Sequence, residues 1–448
     1  MKNRICTILC LLTMLGFIAL FVQEHWKPFK MKPLNGFTPV VEKPKLTMAN
    51  FASGDFQSDV EDYISDNFGF REFFIRCYNQ VAYSCFGKIT NSNIVKGRNQ
   101  ELYLTMYLND ATGKTLKQHY DDVEDAKAAA RNNVEETLRL IDTLHAHHTD
   151  FLFVFAPTKP ATYPEMMPRR YQEQIADFSL EEYYIELFKE NDIPHIDFYH
   201  HFQSLKESFP YPLYPRTGTH WSEAVIPYVA DSILKKLAEV TDYKFPTVHY
   251  INDNLTTDYS VQDGELEASM NLLFPLNKPA LPRHVFELSD TVGTDKPNLL
   301  VIGDSYFTQL RLSCFVKAFN RWDYWEYNKN MLSSRPRFHW KILKEEFDAV
   351  TVLQEADIVM AVFTAPMMYN YMFGFTSTAQ ELLEKGYFNE EEAMEIVIKM
   401  IQDNPQWYEK VVKQAEERNI TIEECLNRNA RYWLDCQKLK IERPKRAS

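Results

Sequence analysis

Cysteine is scarce in this chain and poorly spaced for its usual structural roles. Seven cysteines occur in 448 residues and no two form a C-x-x-C pair, so neither a zinc site nor a dense disulfide framework is indicated. Cys6 and Cys10 lie in an apolar N-terminal run, which leaves Cys77, Cys85, Cys314, Cys425 and Cys436 in the body. Cys77/Cys85 and Cys425/Cys436 are near enough in sequence to be joined, but buried free thiols are the simpler expectation. A basic excess is also missing. The net charge of −13 excludes a nucleic-acid partner, because phosphate binding needs a basic surface. The acidic residues are dispersed and read as an ordinary solubilising surface. Internal repeats and low-complexity tracts are absent too. Apolar residues make up 45% and aromatic residues 14%, ample for a packed core. The length suits one large α/β domain with an appendage.

Only one long hydrophobic stretch is present. Ile5 to Val22 is a run of 18 residues without a charge, preceded by Lys2 and Arg4, close to the length of a bilayer-spanning helix. No small-residue cleavage site follows Val22, and Cys10 sits in mid-run, so an uncleaved signal-anchor is expected over a removed signal peptide or a lipoprotein. The body is expected outside the cytoplasm, as a single-pass inner-membrane protein facing the periplasm. Lys27, Lys30 and Lys32 oppose a simple positive-inside count.

Residues 23–50 carry Pro28, Pro33, Pro39 and Pro44 without apolar periodicity, as a stalk does. From Phe51 the spacing of Phe56, Val60, Tyr63 and Ile64, then of Phe74, Ile75, Tyr78 and Val81, predicts two amphipathic helices broken near Asn67-Phe68-Gly69. Ile94–Gly97 and Leu102–Leu104 read as a hairpin turning at Gly97-Arg98-Asn99. A long helix over Asp121–His147 precedes the apolar run Asp150–Ala156, and a run of that kind suits a buried parallel strand. The alternation then repeats: helix Leu180–Asn191, strand Pro194–Phe198, helix Glu223–Val240, strand Asn298–Ile302, helix Tyr306–Phe319 and strand Ala356–Phe363. This order predicts an α/β fold with a parallel sheet covered on both faces. The main domain is expected over 51–375, with 376–448 an all-helical appendage.

Two segments carry chemistry. Leu299 to Tyr306 is an apolar strand running into Gly303-Asp304-Ser305 and a helix. That placement holds Ser305 at the carboxyl edge of the sheet, where active sites of open α/β folds gather. Gly303 permits the tight turn, and backbone N–H groups at the helix start can face an oxyanion. A plain N-cap at Asp304 or Ser305 accounts for the same tripeptide. The second segment, Tyr214 to Glu223, puts His220 in a Gly/Thr loop just before a helix. Serine needs a base within reach to become a nucleophile, and histidine is the usual one. Other histidines point less clearly to function. His145, His147 and His148 suit a helix C-terminus, and the adjacent His200 and His201 point apart, which disfavours a metal. The aromatics of Trp322 to Tyr327 suit sugar stacking or the core equally.

Thr219-His220-Trp221-Ser222 followed by Gly303-Asp304-Ser305-Tyr306 resembles the SGNH hydrolase-like proteins of alginate O-acetylation and their bacterial relatives. Phe68-Gly69-Phe70-Arg71, Val95-Lys96-Gly97 with Leu102-Tyr103-Leu104, and Pro157-Thr158-Lys159-Pro160 before Tyr163-Pro164 fit the same layout, so the resemblance spans roughly 51–375. It implies a sheet with the histidine block ahead of the serine block. It also implies O-acetyl transfer to an exported polysaccharide, with a membrane-bound O-acyltransferase supplying the acyl group and no cofactor or metal. One departure stands out: the family pattern is Asp-x-His-Trp, and this chain has Gly218 in place of the aspartate. An orienting oxygen for His220 is therefore expected from loop backbone, or from Asp304 or Asp197. An acetylesterase with the same site, or a catalytically silent glycan-binding subunit, are the alternatives.

Overall fold

The computed structural model describes residues 2–36, 41–289, 293–334, 341–342, 346–385 and 390–441. Helix α1 (Lys2–Trp26) contains a 23-residue segment, Arg4–Trp26, long and apolar enough to cross a membrane, of which Gln23 alone is buried. Helices α2 (Asp55–Asn67) and α3 (Arg71–Phe86) follow, broken where the sequence predicts. Gly69 sits in that break against α1, where a Cβ would collide with the Leu20 carbonyl. Strands β1 (Ile94–Lys96) and β2 (Leu102–Leu104) form the expected hairpin, and Leu102 N–H donates to Arg216 O at 2.9 Å.

The following elements build one seven-stranded sheet and a separate two-stranded ribbon. Helix α4 (Thr105–Ala111) and the long α5 (Val123–Ala146) lead into β3 (Asp150–Ala156). Helix α6 (Leu180–Glu190), β4 (His195–Asp197) and α7 (Ile226–Val240) come next. The ribbon of β5 (Thr247–Thr256) and β6 (Leu281–Ser289) has the short helix α8 (Glu265–Ser269) between its strands. Then follow β7 (Asn298–Gly303), α9 (Phe307–Leu312), β8 (Arg321–Glu326), β9 (Asn330–Ser333), β10 (Lys341–Ile342) and β11 (Ile358–Thr364). The sheet order is β10-β9-β8-β7-β11-β3-β4. It is parallel from β8 to β4, with β9 and β10 added antiparallel at one edge.

The continuous apolar runs of β3, β7 and β11 follow from burial on both faces. Along β3, Phe151, Phe153 and Phe155 pack against α5, α6 and α10 (Phe375–Lys385). Leu152, Val154 and Ala156 face α7 and Trp221 on the other side. Two features go beyond the sequence reading. The predicted helix after Ser305 is interrupted at Ser313, whose side chain accepts Phe315 N–H and starts a separate 3-10 turn. Trp322–Glu326 is a core strand whose partner β9 returns after a three-residue loop. Helices α11 (Glu390–Asp403), α12 (Pro405–Arg418) and α13 (Ile422–Ile441) pack on one another around Val397, Ile401, Val411 and Cys425. Cys77, Cys85, Cys314 and Cys425 are free thiols, but of these four only Cys425 is buried as expected, Cys77 and Cys314 being half-buried and Cys85 exposed; the side chain of Cys436 lies outside the described residues.

Candidate functional site

Parallel register aligns the carboxyl ends of β7, β11 and β3. Gly303 pairs with Val362, and Phe363 with Phe155. Gly303 is required by this close approach: a Cβ there would lie 2.7 Å from Val362 O. Past it, the chain turns sharply. The Asp304 carboxylate accepts Tyr306 N–H at 3.0 Å through one oxygen and Thr364 N–H and Oγ1–H at 2.9 and 2.7 Å through the other. Burial raises its pKa, opposed chiefly by the bond from Thr364. Asp304 thus ties the serine turn to the end of β11.

The histidine loop is pinned from below. Lys159 is buried, and its ammonium donates to the carbonyls of Pro215 (2.7 Å), Leu102 (3.0 Å), Gly218 (3.1 Å) and Arg216 (3.2 Å) and pairs with Glu101 at 2.9 Å. Tyr306 O–H donates to Thr219 O at 2.7 Å, and Gln309 Nε2 to Trp221 O at 2.7 Å, so the helix after Ser305 grips the loop carrying His220. The outcome is direct contact between the two predicted residues: His220 Nε2 lies 2.9 Å from Ser305 Oγ.

The orienting oxygen is not where sequence reasoning sought it. His220 Nδ1 lies 3.1 Å from Glu265 Oε1, and Thr219 N–H donates to the same oxygen at 2.5 Å. Asp304 makes no hydrogen bond to His220, since its oxygens are taken up by Tyr306 and Thr364. Asp197 is elsewhere: it caps the helix of Phe198–Leu205, accepting His200 N–H at 3.0 Å, His200 Nδ1 at 2.8 Å and Lys189 Nζ at 2.9 Å. Loop backbone does not serve either. The Glu265 signal in the sequence is faint, an acid opening a five-residue helix 45 positions after the histidine.

Gly218 is explained by the same segment. A Cβ on Gly218 would lie 2.6 Å from Pro215 Cγ, 2.8 Å from Asp263 O and 3.0 Å from Gln262 O. Thr217 receives Leu266 N–H at 3.1 Å and donates its hydroxyl to Asp263 O at 3.1 Å. The stretch that delivers Glu265 therefore occupies the space a side chain at 218 would need.

Tyr327 is the second residue the sequence reading left out of the site. It stands at the β8–β9 loop with φ 52°, followed by Asn328 at φ 49°, and its N–H donates to Gly303 O at 2.9 Å. This left-handed pair, without glycine, leaves the Tyr327 side chain in the neighbourhood of Ser305. Burial, then the nearby Asp304, raises its pKa. The other histidines have local partners: His200 bonds Asp197, and His201 Nε2 bonds the Tyr228 hydroxyl. Trp325 and Tyr324 are core residues.

Residues 116–310, a span that includes His220, Glu265 and Ser305, match the family model described as SGNH hydrolase-like domain, acetyltransferase AlgX. No curated protein matches the chain. Among solved structures, the O-acetyltransferase domain of Pseudomonas putida AlgJ aligns at 14% identity and a TM-score of 0.40, over 64% of this chain and 99% of that one. Pseudomonas aeruginosa AlgX aligns at 13% identity and 0.41, over 64% and 67%. Bacillus cereus PatB1 aligns at 10% identity and 0.35, over 55% and 91%. The family-model match thus covers less than half of the chain and includes all three residues of the site.

Proposed function

We propose that this SGNH hydrolase-like protein transfers an acetyl group to an exported polysaccharide through Ser305. The observation that carries the proposal is the continuous hydrogen-bonded chain Ser305–His220–Glu265, with heavy-atom distances of 2.9 and 3.1 Å. Ser305 Oγ attacks the donor acyl carbon while His220 Nε2 takes the hydroxyl proton. Glu265 fixes the ring with its proton on Nδ1 and stabilises the imidazolium that forms. The proton then passes to the departing donor oxygen as the donor ester breaks, leaving an acetyl-serine. A glycan hydroxyl next gives its proton to His220 and attacks the acetyl carbon; the product ester forms as the bond to Ser305 Oγ breaks and His220 returns the proton to that oxygen. The Ser305 N–H and the Tyr327 hydroxyl are the groups that would donate to the negative charge developing on the carbonyl oxygen.

Helix α1 would hold the domain at the outer face of the inner membrane, where a membrane-bound O-acyltransferase would deliver the acyl group. The silent-subunit alternative rested on the missing aspartate, and Glu265 offers a carboxylate in its stead. The test is acetyl-ester turnover by the detergent-solubilised full chain. Ser305→Ala and His220→Ala are each expected to abolish it while melting temperature holds. Undiminished turnover in a folded Ser305→Ala protein would refute the mechanism.

A further inference from the structure

The carboxyl edge of the sheet continues past Ser305. Beyond Thr364, a cavity of about 460 Å³ opens over the ends of β11 and β3, with Ala365 and Thr158 on its wall. Thr364, the residue before Ala365, holds the Asp304 carboxylate. Helix α4 spans both places: burial and then the nearby Asp304 raise the pKa of Tyr107, and Asp110, one turn on, lines the cavity. Cavity and serine are thus neighbours on one edge, joined by two elements.

Glu181, in the first turn of α6, is a lining residue only 1% exposed, and neither of its carboxyl oxygens has a hydrogen-bond partner among the described residues. An acid in the first turn of a helix is ordinary when it faces water. One buried with nothing to bond is costly, and the fold would gain by replacing it with leucine. Asp110 is close enough to raise its pKa further, after burial itself. Tyr369 lines the same wall, and burial and then the nearby Asp110 raise its pKa. Phe178 and Tyr199 add flat apolar faces. The ammonium of Lys206, also at the wall, is taken by Thr162 O at 3.1 Å and by Glu165. The cavity therefore offers carboxyl groups and aromatic faces with no free cation among the described side chains that line it, a combination that suits hydroxyls and the C–H face of a pyranose and repels a carboxylate.

We propose that this cavity binds an uncharged sugar residue of the acceptor chain, next to the one that is acetylated, with Glu181 as its principal hydrogen-bonding group. The proposal rests on the acyl-transfer reading for the word acceptor alone, so its test is made without turnover. Binding of cellotetraose and tetragalacturonate to the full-length Ser305→Ala protein in detergent is measured by titration calorimetry. Cellotetraose is expected to bind at least tenfold more tightly than the anionic tetramer. Glu181→Leu should weaken that binding at least tenfold while raising the melting temperature, a combination a purely structural glutamate would not give. Ala161→Trp, which fills the cavity from its wall, should weaken it similarly. Equal or tighter binding of tetragalacturonate, cellotetraose affinity unchanged by both variants, or a lower melting temperature for Glu181→Leu would each overturn the assignment. Failed binding beside Ser305-dependent ester hydrolysis refutes the cavity and leaves the chemistry standing. Binding as expected in a protein without ester turnover does the reverse.

Discussion

Glu265 gives the sharpest test of the site. Its carboxylate does two things to His220: it fixes which ring nitrogen carries the proton, and it offsets the positive charge as the serine proton arrives. Glu265→Gln separates them. The amide oxygen can still accept Thr219 N–H and His220 Nδ1–H, which keeps the tautomer, but the charge is gone. Two unit charges about 4 Å apart interact by roughly 4 kcal/mol at an effective dielectric of about 20. The two side chains are 16% and 24% exposed, so screening reduces this to roughly 2–3 kcal/mol. That corresponds to a rate loss of roughly 30- to 150-fold in kcat/KM. Glu265→Ala removes charge and orientation together and should cost about 10³- to 10⁴-fold, the range for a misdirected imidazole. Acetyl-ester hydrolysis by the two variants, with Ser305→Ala as the floor, gives the numbers directly. If Glu265→Ala retains turnover within about twofold of the parent, Glu265 does not orient the base and the reasoning fails.

Gly218→Asp, which restores the residue of the Asp-x-His-Trp pattern, should destabilise the fold by about 1–3 kcal/mol through overpacking against Pro215 and residues 262–263 and slow turnover; a stable, faster variant would contradict the packing. Tyr327→Phe keeps the ring and removes the hydroxyl proposed as an oxyanion donor, so ester turnover should fall about 10²-fold with the melting temperature unchanged. Burial pushes the Asp110 carboxyl up to about 7. The folded state then keeps a proton that the unfolded chain releases, so stability falls as pH rises from about 4 to about 7 and stays lower above that. Asp110→Asn should remove the slope and gain up to about 4 kcal/mol at pH 8, read as melting temperature against pH; a parallel slope in the variant would refute the cause.

The sheet was legible where one element carries its own signal. Phe151–Ala156 and Leu299–Ile302 are continuous apolar runs because both faces are covered, and the helices between them are long and periodic. Ser305 and His220 were legible because each sits at a junction with a recognisable local pattern. The β8–β9 hairpin was not: Trp322 to Tyr327 is aromatic or acidic at every position, so it shows no alternation, and its turn uses Tyr327 and Asn328 in place of glycine. The β5–β6 ribbon was missed because its strands are polar, partly exposed and separated by residues 257–280. Glu265 is one of 62 acidic residues, and nothing in its neighbours marks it out. Only the crossing of residues 262–266 over the histidine loop selects it.

That crossing changes the meaning of Gly218. On sequence alone, glycine in the aspartate's place reads as a lost group, and a lost group suggests a lost activity. In the folded chain the two arrangements exclude each other. A Cβ at 218 would press on the carbonyls of Gln262 and Asp263, the residues that lead into α8. Moving that segment away would break the bonds from Thr217 O–H to Asp263 O and from Leu266 N–H to Thr217 O, and Glu265 would leave the imidazole. Glycine at 218 is therefore the condition for the carboxylate to arrive from α8. The double variant Gly218→Asp with Glu265→Ala follows from this. If an aspartate at 218 could orient the ring once Glu265 is gone, the pair should recover part of the turnover lost in Glu265→Ala. The packing predicts no recovery, because the backbone of residues 262–263 still fills the space. Recovery to within tenfold of the parent would show that the segment yields, and that either position can supply the acid.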